Sequence, residues 1–436
     1  MKGNARCYEK LREYIETIPL IDCHDHTLVC GPKYTDPIAV ITGGYITHDF
    51  QSASSAADLA VILDLSLSLQ QRWSVLEKVW NRCCHTGYAR VTRLVLEKFY
   101  GENQLTLKAL ERIGGKLADL SDEKTFDDIL AQANIAVRLE DVINCDIPHS
   151  VDDIKAVLDG SYKLSPRGRM ITTLSGYHDI RSYDMVQNFA APVDRTVTSL
   201  DEYLDVCREI FQGYKRFGAV AFKDNTAYRH SLKYSNPTRY EAETVFNWFM
   251  SDPRRIANYP EQSRPLDDYL FHQFMRMARD MDLPVQIHTG HMAGVYNDIV
   301  KANAIGLREL LELHREVRFD LFHANWPYSG ELLYLAKNFP NVTIDFCWAN
   351  IIDPIYCQNL FKQALSSVPH GKIHGYGSDF FGFADRAWAH AKIARDNIAI
   401  ALSDMVEIEY LSFDEAKQVA YAWLFDNANE FFRLKL

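Results

Sequence analysis

Near its N-terminus the chain reads Leu20-Ile21-Asp22-Cys23-His24-Asp25-His26. Two histidines two positions apart project to one face of an extended chain, so both imidazoles can reach a single metal ion. Alone such a pair is weak, because histidines also fall two apart by chance or pack as core residues. Its weight comes from how four other apolar runs end. Ala219-Val220-Ala221-Phe222 leads into Lys223, Pro284-Val285-Gln286-Ile287 into His288, Asp320-Leu321-Phe322 into His323, and Tyr376-Gly377-Ser378 into Asp379. An apolar strand interior ordinarily ends in Gly, Asn or a helix cap. Here five runs end in a residue type that binds metals or transfers protons. Imidazoles with a carboxylate, and no cysteine in pattern, suit Zn²⁺ or a similar divalent ion. Three or four protein ligands with an open position would lower the pKa of a bound water toward ~7. Any one of these residues is as well explained as a buried, hydrogen-bonded polar group; the set is not.

The elements that must position them read as follows. Candidate strands are Pro19–Cys23, Ile135–Leu139, Arg169–Leu174, Ala219–Phe222, Val285–Ile287, Phe319–Phe322, Val342–Phe346 and Ile373–Tyr376. Helical patterns separate them. Ser199 and Glu202 read as a capping box before Tyr203–Phe217, which stops at Gly218, and Ser412 with Glu415 as another before the last helix. Pro265 opens Leu266–Met281, with Pro284 beyond it. Strands alternating with helices imply parallel βαβ units. Eight of them favour an α/β fold closed as a (β/α)₈ TIM-like barrel, with the chemistry at the C-terminal strand ends. The chain is expected to be one such barrel over 1–436. The stretch 27–134 is too long for a βα loop and reads as a helical insertion, with Ala57–Leu69, Arg72–Arg82 and Tyr88–Tyr100 as helices. Trp73 and Trp80 at helical spacing read as its packing core rather than as a substrate platform. Leaving the C-terminal end of the first strand, the insertion should lie over the mouth as a lid.

Composition narrows the partners. Lys and Arg total 47 against 58 Asp and Glu, for a net charge of −11 over 436 residues. That balance argues against a nucleic-acid binder, though not against a local basic pocket for a small anion. No apolar run reaches the ~20 residues that span a bilayer, and the polar N-terminus lacks an apolar signal region. Nine cysteines, an odd number with the adjacent pair Cys83-Cys84 and no Cys-x-x-Cys, read as reduced thiols in a cytoplasm. The expected partner is a small-molecule substrate, with a homo-oligomer left open.

The chain resembles the amidohydrolase superfamily of metal-dependent hydrolases, within it the amidohydrolase-2 branch. The nearest likeness is to amidohydrolase domains fused to glutamine-synthetase-like domains. The segments that carry this are His24-Asp25-His26, Phe222-Lys223-Asp224-Asn225-Thr226-Ala227-Tyr228-Arg229 and Gln286-Ile287-His288-Thr289-Gly290. They continue in Phe322-His323-Ala324-Asn325-Trp326-Pro327-Tyr328, Leu335-Ala336-Lys337-Asn338-Phe339-Pro340-Asn341-Val342 and Gly375-Tyr376-Gly377-Ser378-Asp379. The likeness covers roughly residues 18–30 and 215–433. A departure from that likeness is that no glutamine-synthetase-like segment follows Asn427-Ala428-Asn429-Glu430-Phe431, which puts a glutamyl-type substrate in doubt.

By that resemblance His24, His26, His288 and Asp379 ligate a main divalent metal, and His323 holds a second ion or polarises the substrate. Lys223 stands where some members carry a carboxylated lysine bridging two metals. The expected activity is hydrolysis of an amide, ester or lactone by a metal-activated water. Asp379 would serve as ligand and general base, passing the proton to the leaving group. Tyr228 and Arg229 follow the fourth strand closely enough to reach substrate, and Arg is a natural bidentate partner for a carboxylate. Arg229 also reads as a solvated charge, and His291 and Trp326 as substrate contacts or as plain loop and packing residues. A uronate-type isomerase and a non-oxidative decarboxylase use the same ligands and stay open. So does a metal-binding protein without catalysis.

Overall fold

A computed structural model of the chain describes residues 2–26, 33–143 and 151–436. Eight strands, β1 (Leu20–Asp25), β2 (Ile135–Ile143), β3 (Gly168–Thr173), β4 (Ala221–Asp224), β5 (Val285–His288), β6 (Phe319–Phe322), β7 (Val342–Asp345) and β8 (Ile373–His374), pair in parallel in sequence order. The ring closes just past β8. Cys23 N–H donates to the Tyr376 carbonyl at 3.1 Å, and Asp379 N–H to the His24 carbonyl at 3.0 Å. The architecture is the expected (β/α)₈ barrel. β4 starts later than expected and takes in Lys223, because pairing with β3 runs from Ala221 to Lys223 opposite Ile171–Thr173.

Strand alternation separates two environments. Val285, Ile287, Phe319, Leu321, Val342 and Ile344 face the surrounding helices in the main core, while their neighbours point inward. The interior is divided. On the side of β1–β4 it is apolar: Ile21, Cys23, Val137, Leu139, Ile171 and Ala221 pack on Ala428, Phe432 and Leu434, which plug the barrel from below. On the side of β5–β8 it is polar. Gln286 Nε2 donates to Asp320 Oδ2 (3.0 Å), Thr343 Oγ1 to Asp320 Oδ1 (2.9 Å), and His374 Nδ1 lies 3.1 Å from the same Oδ1. Groups buried this deeply must satisfy one another.

Helix boundaries differ from expectation in three places, each for a local reason. The helix before β5 spans Pro260–Met281, because Gln262 reaches back to the Asn258 backbone at 2.8 Å and starts it early. Pro265 therefore lies inside it, forgoing one helix hydrogen bond. The expected 57–69 helix ends at Leu63, and Ser68 with Gln71 forms a capping box that starts a new helix, Leu69–Cys83. Ser199 caps Leu200–Phe217 through Glu202 N–H at 3.3 Å, but the Glu202 carboxylate turns to Thr198 N–H (2.7 Å) and completes no box with Ser199. The Ser412–Glu415 box is present.

Between β1 and β2 the described residues form a stack of helices: Pro37–Thr42, Ile46–Ala53, Ala56–Leu63, Leu69–Cys83, Gly87–Val95 running on into a π-turn at Leu96–Tyr100, Leu107–Gly114 and Glu123–Gln132. The start of this segment at Thr27 lies outside the described residues. Trp73 and Trp80 are buried in its core. Arg72 grips Asp36 with two 2.8 Å bonds, and the buried Arg386, next in sequence to Asp385 after β8, donates to Tyr34 Oη at 2.7 Å and to the Val40 carbonyl. These contacts clamp the helices to the β8 side of the mouth.

One buried ion network sets the end of β1. Arg138 of β2 pairs with Asp25 (2.6 Å) and Glu140 (2.7 Å), all three buried. The other Asp25 oxygen accepts Phe380 N–H at 3.0 Å, so the residue between the two histidines ties β1 to the loop after β8. Arg138→Met should destabilise the fold by about 3–5 kcal/mol, because it strands two buried carboxylates. Urea denaturation at pH 7 checks this; a loss below about 1 kcal/mol would show that the network is not a structural anchor.

Candidate metal centre

β1 carries its two histidines to the mouth with Nε2 atoms 3.2 Å apart. Asp379 Oδ1 stands 3.2 Å from His26 Nε2 and 3.6 Å from His24 Nε2. The Lys223 ammonium points into the same space, 3.2 Å from His24 Nε2 and 3.4 Å from His26 Nε2. A second group lies beside the first: His323 Nε2 is 3.0 Å from His288 Nδ1 and 3.9 Å from Asp379 Oδ2. His24, Lys223, His288, His323 and Asp379 are all buried, and His26 is half-buried.

Hydrogen bonds on the far side of each ring decide which nitrogen keeps its lone pair. His24 Nδ1 donates to Gln286 Oε1 at 3.0 Å, since the Gln286 amide nitrogen is already spent on the Cys23 carbonyl (2.9 Å) and Asp320. His323 Nδ1 donates to the Cys347 carbonyl at 3.0 Å, and His288 Nε2 to the His291 carbonyl at 2.7 Å. The nitrogens left over, His24 Nε2, His323 Nε2 and His288 Nδ1, are acceptors turned toward the cavity. Burial, helped by the charges of Lys223 and His26, pushes His24 well below its usual pKa. Burial, with His323 and Lys223, does the same to His288, and burial brings His323 down to about 4 against the pull of Asp379. These imidazoles are neutral near pH 7. Burial opposes ionisation of Asp379, but the bond from His26 and the surrounding imidazoles win and hold it well below the ordinary carboxylate range.

Acceptors this close repel unless a proton or a cation lies between them. An ion with ~2.0–2.1 Å bonds in tetrahedral coordination spaces its ligands about 3.3–3.4 Å apart. The triangle of His24 Nε2, His26 Nε2 and Asp379 Oδ1, with sides of 3.2, 3.2 and 3.6 Å, fits that spacing. The His288–His323 pair with Asp379 Oδ2 offers donors for a second ion. Cys347 also lies within ligand range of His323 and Asp379, but burial and the Asp379 charge push its thiol far up, so it stays protonated.

The loops that deliver these groups are strained. His323 (φ 73°), Trp348 (φ 58°) and Asp379 (φ 57°) all adopt left-handed backbone, uncommon for residues other than glycine. Their surroundings enforce it: Trp348 N–H donates to the Gly377 carbonyl at 3.0 Å, and a Cβ on Gly377 would lie 2.6 Å from that of Cys347. Strain of this kind clusters where function fixes geometry.

Residues 254–434 match the family model described as amidohydrolase. Over this C-terminal part the chain is similar to the amidohydrolase family. Protein fluG of Emericella nidulans is 27% identical over 226 residues, which cover 49% of this chain but only 26% of that protein. The chain thus spans about a quarter of that relative's length. Among solved structures, a uronate isomerase from Thermotoga maritima superposes with a TM-score of 0.77 at 15% identity, over 98% of this chain and 97% of that one. A glucuronate isomerase from Caulobacter crescentus gives 0.77 at 17%, over 99% and 95%. A protein described as a metal-dependent hydrolase from Lactobacillus casei gives 0.68 at 18%, over 98% of each chain. At these identities the likeness establishes a common fold.

The other residues singled out in the sequence fall around the same mouth. The Tyr228 ring meets His288 edge-on at 4.8 Å, and its hydroxyl accepts Ala293 N–H at 2.9 Å. Arg229 does not stand as a solvated charge: Nη1 lies 3.1 Å from Asp179 Oδ2, while Arg181 binds the other oxygen at 3.0 Å. His291 packs its ring between Trp326 (5.4 Å) and Trp348 (5.0 Å), and burial with the nearby His48 lowers it to about 4. Trp326 bonds Asp353 at 3.4 Å.

Sequence reasoning missed Asp141, whose Oδ2 stands 3.5 Å from His26 Nδ1 and 3.7 Å from Lys223 Nζ. A signal existed, since β2 carries three charged residues, Arg138, Glu140 and Asp141, and alternation puts only Asp141 on the face of Val137 and Leu139. It also missed Tyr45, whose hydroxyl donates to the Asp379 carbonyl, together with Tyr88, which stacks with Tyr45, and Phe381, which stacks on His26 at 4.4 Å. Nothing local marks these aromatics.

The neutral imidazoles carry a pH signature. His323, His291 and His390 sit near 4 when folded, chiefly through burial, against ~6.5 in an unfolded chain. Between those values the unfolded chain binds more protons, so stability is complete above pH 6.5 and drains away as pH falls toward 4. Denaturation midpoints of metal-free protein between pH 7 and 4 should fall along that window, and the fall should be smaller in His390→Gln. Identical profiles for the two proteins would mean that His390 is not held neutral.

Proposed function

We propose that the chain is a metal-dependent hydrolase that cleaves an amide, ester or lactone bond of a small carboxylate-bearing substrate. The observation carrying this reading is the convergence of His24 Nε2, His26 Nε2 and Asp379 Oδ1 on one point, with the Lys223 amine entering the same space. His24, His26 and Asp379 would hold one divalent ion of the Zn²⁺ type, and His288 with His323 would hold a second. When bound, such an ion supplies Lewis acidity, polarising a carbonyl oxygen and acidifying an adjacent water. An unmodified ammonium at Lys223 would be repelled by that cation. Carboxylation would turn it into a ligand; otherwise it pairs with Asp141.

The chain's own groups supply the remainder. Asp379 stays ionised, and with one oxygen beside His26 and the other toward His323 it is placed to accept a proton from water and return it to the leaving group. Arg229 and Arg181 both bind Asp179 at the rim, and guanidinium groups placed there are the type of partner a substrate carboxylate takes. The helices between β1 and β2, which carry Tyr45 and Tyr88 to the mouth, act as a lid that excludes water.

A second reading has its own support. The two sugar-acid isomerases superpose over nearly the whole chain, helical segment included, so aldose–ketose isomerisation of a uronate is the rival. Purified protein loaded with Zn²⁺ or Mn²⁺ should hydrolyse members of a panel of lactones, esters and N-acyl amino acids, and lose that activity to a chelator. Turnover of uronates without hydrolysis of any panel member would replace the first reading by the second. With the substrate in hand, Asp379→Asn should lower kcat by at least about 10²-fold. A variant of near-normal rate would pass the proton role to His323.

A further inference from the structure

At the opposite end of the barrel from these ligands lies a second cavity of about 370 Å³, within the range of small-ligand sites. Three cations line it, Arg318, Lys372 and Arg433, together with Asn341, Thr343 and the ring of Phe431; the one acid in its wall, Glu430, is exposed. In a chain of net charge −11 this concentration of positive charge is out of keeping with the rest. The cations are also under-neutralised. Arg318 and Arg433 share one carboxylate, Asp282. Lys372 has only carbonyl partners, Ala336 and Phe339 (2.8 Å), and partial burial without an acid lowers its pKa to about 8. Carbonyls satisfy hydrogen-bond donors but leave the charge uncompensated.

We propose that this cavity is a binding site for a small multivalent anion, a phosphorylated or polycarboxylate metabolite. Its charge would be met by Lys372, Arg318 and Arg433. The site stands apart from the candidate metal centre but is wired toward it. Thr343 of the cavity wall donates to Asp320 (2.9 Å), Asp320 accepts from Gln286 (3.0 Å), and Gln286 accepts from His24 (3.0 Å). An anion here is therefore an effector rather than a substrate.

Calorimetric titration of the full chain with inorganic phosphate and, separately, with citrate tests the site. Saturable binding of either probe is expected. It should weaken at least tenfold in Lys372→Met and measurably in Arg433→Gln, whose exposed side chain is not needed for folding. It should also weaken from pH 7 to 9 as Lys372 loses its proton. Preference for phosphate or for citrate identifies the headgroup. Absence of saturable binding by both probes would overturn the proposal. Affinity unchanged in both variants would do the same, since it would place the anion at the other end of the barrel.

Discussion

Everything at the mouth of this barrel follows from electrostatic repulsion held in check. Two imidazole lone pairs and a carboxylate oxygen stand within 3.6 Å of one another, and a second pair of imidazole nitrogens faces off at 3.0 Å. Left alone, such groups would swing apart or take up protons. Bonds on the outer sides of His24, His323 and His288, to Gln286, Cys347 and His291, prevent those rings from swinging, and burial keeps these three neutral. The arrangement is stable as drawn only with positive charge at its centre. Lys223 supplies some of it, and the donor spacing matches a tetrahedral divalent ion.

Holding that cluster requires the interior of the barrel to be built in two halves. The apolar half, from β1 to β4 and plugged by Phe432 and Leu434, provides burial. The polar half, from β5 to β8, provides a chain of hydrogen bonds from His374 through Asp320 and Gln286 to His24. A uniformly apolar interior would leave His24 free to choose its tautomer and its rotamer. The cost is a set of deeply buried ionisable groups. Burial and the neighbouring Asp320 push Asp345 up, so the floor of the barrel holds its own proton.

The helices between β1 and β2 and the strained loops answer the same demand from above. Tyr45 donates to the carbonyl of Asp379, and Arg386, early in the helix that follows that loop, donates to the Tyr34 hydroxyl and the Val40 carbonyl, so the loop bearing the carboxylate is tied to the helical segment above it at two points. Left-handed backbone at His323, Trp348 and Asp379 costs of order 1–3 kcal/mol at each position. It persists because close approaches such as Gly377 against Cys347 leave no relaxed alternative.

What could be read from the chain was what repeats or recurs at a strand end. Period-two apolar runs located the strands, and β6 falls where the pattern put it, because alternation and burial are local consequences of side-chain type. His24, His26, Lys223, His288, His323 and Asp379 stood out because polar residues closing apolar strands are costly unless used. Asp141 was half-legible, hidden among the charges of β2. Tyr45, Tyr88, Trp348 and Phe381 carried no mark, since an aromatic residue reads the same in the sequence whether it packs or lines a mouth. Nor could spacing reveal that Arg229 shares Asp179 with Arg181, that Gln286 sets the tautomer of His24, or that Arg318, Lys372 and Arg433 meet below the barrel. Residue type and period determined the strands and singled out the polar residues at their ends. Only closure of the barrel decided which side chains meet, because those distances join segments up to hundreds of residues apart along the chain.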